Sequence, residues 1–98
     1  MKVALLTLHC LNAVADDYES LESITADVRR ATHGDVSHED VASCLGDLAR
    51  DALIGVFAFD REARRYVPLA GVPTTLADKW FSITAQGRDE LRTNWVEQ

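Results

Sequence analysis

The chain is short of cysteine, short of positive charge, and without any long apolar run. Its two cysteines, Cys10 and Cys44, are too few for a zinc quartet or a disulfide framework. Both fall on apolar helix faces, where a buried thiol acts as a small hydrophobe, and free thiols fit a reducing, cytoplasmic compartment. No stretch approaches the ~18 apolar residues that a membrane span needs. Ten Lys and Arg face sixteen Asp and Glu, a net charge of −6, which excludes general electrostatic attraction to nucleic acid. No internal repeat or low-complexity tract divides the 98 residues, so residues 1–98 read as one domain with a single core.

Catalytic signatures are missing as well. No Ser–His–acid pattern, phosphate loop or dinucleotide fingerprint occurs, and His9 points away from Cys10 on its helix. His33 to Asp40 gathers two His and three acids, but at no standard ligand spacing, and helix capping already accounts for Ser37 and Asp40. We therefore expect no enzyme, no metal and no cofactor.

What is present is a clear succession of elements. Residues 2–15 have an apolar arc wide enough for a helix buried on more than one side. The segment also imitates a secretory signal ending in Ala13-Val14-Ala15. His9 and Asn12 interrupt it, however, and only Lys2 precedes it, so a helix of the fold is the better reading. Its cover is either the C-terminal helix or a partner subunit, and the second alternative predicts a homodimer with the first or last helix in the interface.

A polar break, Asp16 to Glu19, precedes a second helix capped by Ser20 or Ser23. Leu21, Ile24, Val28 and Ala31 form its stripe, and Thr32-His33-Gly34 ends it. Ser37, with Asp40 three residues on, starts a third helix running to about Leu53. Val41, Cys44, Leu45, Leu48 and Ala52 share its inner face. Ile54 to Asp60 reads as a strand, Arg61 to Arg64 as a turn, and Arg65 to Leu69 as a return strand that Pro68 confines to an edge. After a connection over residues 70–79, Trp80 to Ile83 is a short strand. Thr84 then caps a last helix to about Trp95, with Leu91 and Trp95 inward.

Leu48-Ala49-Arg50-Asp51-Ala52-Leu53-Ile54 looks like the L-x-x-x-G-L-I junction between a recognition helix and a wing. Ile83-Thr84-Ala85-Gln86-Gly87-Arg88-Asp89-Glu90-Leu91 looks like the L-T-x-x-G-R-x-x-L that follows a wing. On these two patterns residues 20–95 resemble the winged-helix domains of small bacterial transcription regulators. The fold implied is α+β, mainly α: three helices, a β-hairpin wing and a C-terminal helix. Two departures stand out. Ala52 replaces the usual Gly, and residues 71–79 intervene before the second pattern, so the wing is either longer or three-stranded.

The resemblance makes Ser37–Leu53 the helix presented to DNA. Its outer arc holds Glu39, Asp40, Ser43, Gly46, Asp47, Arg50 and Asp51, a poor match to phosphate. Positive charge lies elsewhere. Residues 1–28 hold one Lys against five acids, whereas residues 29–65 hold six Arg against seven acids. The candidate nucleic-acid contacts are therefore Arg29, Arg30, Ser43, Arg50, Arg61, Arg64 and Arg65. Two functions stay open: a dimeric regulator contacting duplex DNA through wing and second-helix arginines, and a winged-helix module that binds a protein partner instead.

Overall fold

The computed structural model describes residues 5–73 and 75–94. Helix α1 (Leu5–Ala13) is followed by a two-residue strand β1 (Glu19–Ser20), then by α2 (Leu21–Ala31) and α3 (His38–Arg50). Strands β2 (Ile54–Asp60), β3 (Arg65–Pro68) and β4 (Trp80–Ile83) lead to α4 (Ala85–Asn94). The sheet is antiparallel with order β1-β4-β2-β3.

Helix α1 is the centre of the molecule. Its wide apolar arc packs against α2, α3 and α4 at once, burying Leu8, Cys10 and Leu11, with Val14 just beyond it. The intrachain cover expected from α4 is thus present, although Leu5 remains 66% exposed. Residues 2–4 of the expected helix, and Trp95, lie outside the described residues.

Helices α2 and α3 have identifiable caps. Ser20 caps α2, its Oγ accepting from Ser23 N at 3.2 Å. Thr25, not Ala31, completes the buried stripe of α2; its hydroxyl donates to the Leu21 carbonyl at 2.7 Å, and Ala31 is exposed. The left-handed residue that ends α2 is His33 (φ 56°), followed by Gly34 (φ 82°). The expected capping box opens α3: Ser37 Oγ accepts from Asp40 N, and Asp40 Oδ2 accepts from Ser37 N, both at 3.1 Å.

The end of α3 corrects the sequence reading. The helix closes at Arg50, because Leu53 N donates to Leu48 O and Ala52 N to Ala49 O, a Schellman closure with Ala52 at φ 62°. Ala52 is therefore exposed rather than on the inner face, and it occupies the position where a Gly is usual. A Cβ in the left-handed region costs about 1–2 kcal/mol, more than the extra chain entropy of Gly. Ala52→Gly is accordingly expected to stabilise the fold by about 0.5–1 kcal/mol, read as a raised midpoint in urea unfolding. A lowered midpoint would mean that the turn is not strained.

The second pattern proves to be a clasp. Thr84 Oγ1 donates to Ala52 O at 2.8 Å and accepts from Gly87 N at 3.0 Å, while Thr84 N donates to Leu53 O at 3.1 Å. Arg88 Nη2 reaches Ala15 O at 2.9 Å, and Ile83 N donates to Val14 O. Thr84, Gly87 and Arg88 thus lock α4 to the α3–β2 junction and to the end of α1.

The sheet's inner face carries Ile54, Val56 and Phe81 into a core shared with Ile24, Val28, Val41, Leu45 and Leu48. On its other face Tyr18 stacks on Tyr66 with ring centroids 4.0 Å apart, and Phe57, Phe59 and Trp80 meet this pair edge-on. β3 is the sheet edge expected from Pro68, and the wing is three-stranded, with β4 pairing to β2 and the added strand β1 pairing to β4. A polar break was expected where β1 lies.

Candidate nucleic-acid interface

The helix that follows the α2–α3 turn presents the charge anticipated for it. Glu39, Asp40, Ser43, Asp47, Arg50 and Asp51 are all exposed. Gly46 is the exception: it is buried rather than on the outer arc, and the Arg50 guanidinium lies beside it. Glu39 and Asp40 sit in the first turn, where carboxylates suit the macrodipole, and Asp40 is also spent on the cap. Asp47 has a partner as well, since it pairs with Arg50 one turn on. That pairing neutralises the only cation on this face of α3 and leaves it acidic.

The arginines fall into two groups at opposite ends of α3. Arg29 and Arg30 lie in the last turn of α2, beside the turn into α3. Arg50 closes α3 about 20 Å further along its axis, next to the root of the wing. Arg30 pairs with Asp27 at 3.1 Å, whereas Arg29 enters no ion pair among the described residues.

The wing tip is different in kind. Asp60 and Arg65 are the last paired residues of the hairpin, which leaves Arg61–Arg64 as a four-residue loop. One oxygen of the Asp60 carboxylate is engaged by the backbone of the turn. That oxygen, Oδ1, accepts from Glu62 N at 3.0 Å and from Ala63 N at 3.1 Å, which builds the turn. Arg64 takes a left-handed conformation, φ 54°, to complete it. Arg61, Arg64 and Arg65 are all exposed, and none joins the four ion pairs among the described residues. Three cations thus stand at the wing tip beside two carboxylates, Asp60 and Glu62, with which none forms an ion pair among the described residues.

The cleft between α1 and α2 suits phosphate poorly. It has a volume of about 250 Å³ and is lined by Asn12, Asp16, Glu19 and Asp27 among others, and its charge would repel an anion. Among the described residues no group of three or more His, Cys, Asp or Glu is placed to hold a metal ion. None of the described helices is long and apolar enough to cross a membrane. Neither the use of Asp60 by the turn nor the pairing of Asp47 with Arg50 is a matter of periodicity. The Asp-x-x spacing of a side-chain turn and the i,i+3 spacing of the pair were the available signals.

Three helices, a sheet whose β2–β3 hairpin projects past the core, and a helix clasped behind it define a winged-helix domain. The structure of Bacillus subtilis PadR in complex with operator DNA is similar to it, with a TM-score of 0.66 at 20% sequence identity. The match covers 96% of this chain and 48% of the PadR chain, so the domain spans about half the length of that protein. No protein-family model matches the sequence, and no curated protein matches it either.

Proposed function

We propose that this chain is a non-enzymatic, DNA-binding regulatory module that meets duplex DNA mainly through its wing. One observation carries the reading: Arg61, Arg64 and Arg65 are exposed at the wing tip and join no ion pair among the described residues, on a fold similar to that of a protein seen on its operator. Arg29 adds a cation at the other end of α3. Ser43 and Arg50 contribute less, because Arg50 is held by Asp47 and the surrounding face repels phosphate. Wing arginines of this kind contact phosphates or enter a minor groove, which positions a protein on DNA and reads groove width more than base identity.

The test is fluorescence anisotropy on duplex DNA across salt concentrations. Binding should weaken along a log–log slope of about −0.9 per phosphate neutralised. Asp47→Asn should strengthen it, since the change removes a repelling carboxylate and releases Arg50. Absence of binding at low salt would favour a module that binds a protein partner through its acidic α3.

The proposed assembly is a homodimer. Its motive is the start of α1, where Leu5 is 66% exposed and Leu6 only half-buried. Light scattering should give twice the chain mass, and a monomer at high concentration would contradict the assembly.

A further inference from the structure

The two cysteines of the chain are both free, and the fold brings them together from different helices. Cys10 on α1 is fully buried, whereas Cys44 on α3 is half-buried. Thr7, one turn before Cys10 on the same face of α1, has its Oγ1 3.7 Å from the Cys44 sulfur, and Cys44 packs against the core cluster that contains Cys10. The Cys44 sulfur thus faces the side of α1 that carries both Thr7 and Cys10. Nothing in the winged-helix reading uses this arrangement.

We propose that Cys44 and Cys10 form a thiol oxidation site, in which a hydroperoxide oxidises Cys44 and Cys10 then closes an intrachain disulfide between α3 and α1. The division of labour follows from the surroundings of the two sulfurs. The neighbouring Cys10 thiol is the largest influence holding the Cys44 thiol down to about 7, with a further contribution from Thr7. Burial and the Asp47 carboxylate, one turn on in α3, push the other way. Cys10 is itself pushed up, first because it keeps the proton it shares with Cys44 and then by its burial. Cys44, half-buried, is the sulfur a peroxide can reach, and fully buried Cys10 is left to resolve the oxidised sulfur.

The chemistry balances without any further reagent. The Cys44 thiolate attacks one peroxide oxygen, the O–O bond breaks, and the departing oxyanion takes a proton from solvent. This leaves a sulfenic acid on Cys44. The Cys10 sulfur then attacks the Cys44 sulfur, the S–O bond breaks, and hydroxide leaves with the Cys10 proton as water. Two thiols are oxidised by two electrons, and one hydroperoxide is reduced to an alcohol, or to water if hydrogen peroxide is used.

A bond between these sulfurs would fix α3 against α1. Any effect on DNA rests on the reading above, so the test reads thiols alone. The full chain is treated with hydrogen peroxide and quenched, then followed by maleimide labelling, intact mass and non-reducing electrophoresis. The expected product has lost both reactive thiols and two hydrogens, runs as a single chain, and is restored by dithiothreitol. With dimedone present, Cys10→Ala should trap one adduct on Cys44, and Cys44→Ser should trap none. Cys10→Ser is run beside Cys10→Ala, with circular dichroism on both, because a hydroxyl in that buried site can unfold the domain. Retention of both thiols in the wild type, an adduct on Cys10, or only interchain disulfides would overturn the proposal.

Discussion

Gly87→Ala should cost the fold about 3 kcal/mol or more, although it replaces a helical glycine with the best helix former. In an open helix the same change stabilises by about 0.5–1 kcal/mol. Gly87 is buried, however, and a Cβ there would overlap the Leu53 carbonyl oxygen and stand 2.9 Å from Ile83 Cγ1. Leu53 O cannot retreat freely, because it accepts from Thr84 N in the clasp. Either α4 lifts off the α3–β2 junction or the bonds of Thr84 to Ala52 and Leu53 open. For a domain of this size the thermal midpoint should fall by about 12 °C or more, followed by circular dichroism. A variant as stable as the wild type would show that α4 does not approach the junction as closely as described.

This position shows how far the fold could be read from residues alone. Apart from β1, the element order follows from local chemistry, as do the capping box at Ser37 and the edge placement of Pro68, and all are observed. The Thr84–Gly87–Arg88 pattern was legible as a signature. Its physical content was not, because the close approach to Leu53 and the bond from Arg88 to Ala15 join segments far apart in the chain. The end of α3 was misplaced for a related reason: Ala52 continues the apolar spacing of the helix while its backbone has already turned left-handed. Strand β1 escaped because two residues carry no period, and they become a strand only by pairing with Trp80 and Phe81.

The candidate interface divides in the same way. Exposed arginines and an acidic α3 are properties of residue type, and they could be placed in advance. Which arginines are unpaired is a property of geometry. Asp60 and Glu62 adjoin the wing arginines in sequence. In the structure Asp60 accepts from two backbone amides of the turn, and no ion pair among the described residues includes Glu62.

The largest expected effect on binding is therefore at the wing. Replacing Arg64 and Arg65 together with Ala should weaken duplex binding on the order of ten-fold for each arginine that contacts a phosphate. Stability should change little, since both side chains are exposed and neither is ion-paired among the described residues. Ala at position 64 also meets the same left-handed backbone that Arg64 already tolerates. Substitution of Ser43 should matter far less, because it lies on an acidic face.

The most direct measurement is the slope of log affinity against log salt for the wild type and for the Arg64→Ala, Arg65→Ala double variant on one duplex. A steep wild-type slope, flattened in the variant by up to ~2 units per subunit, is the expected result. A wild type that does not bind at low salt, or a slope that the two replacements leave unchanged, would contradict the assignment of DNA contact to the wing.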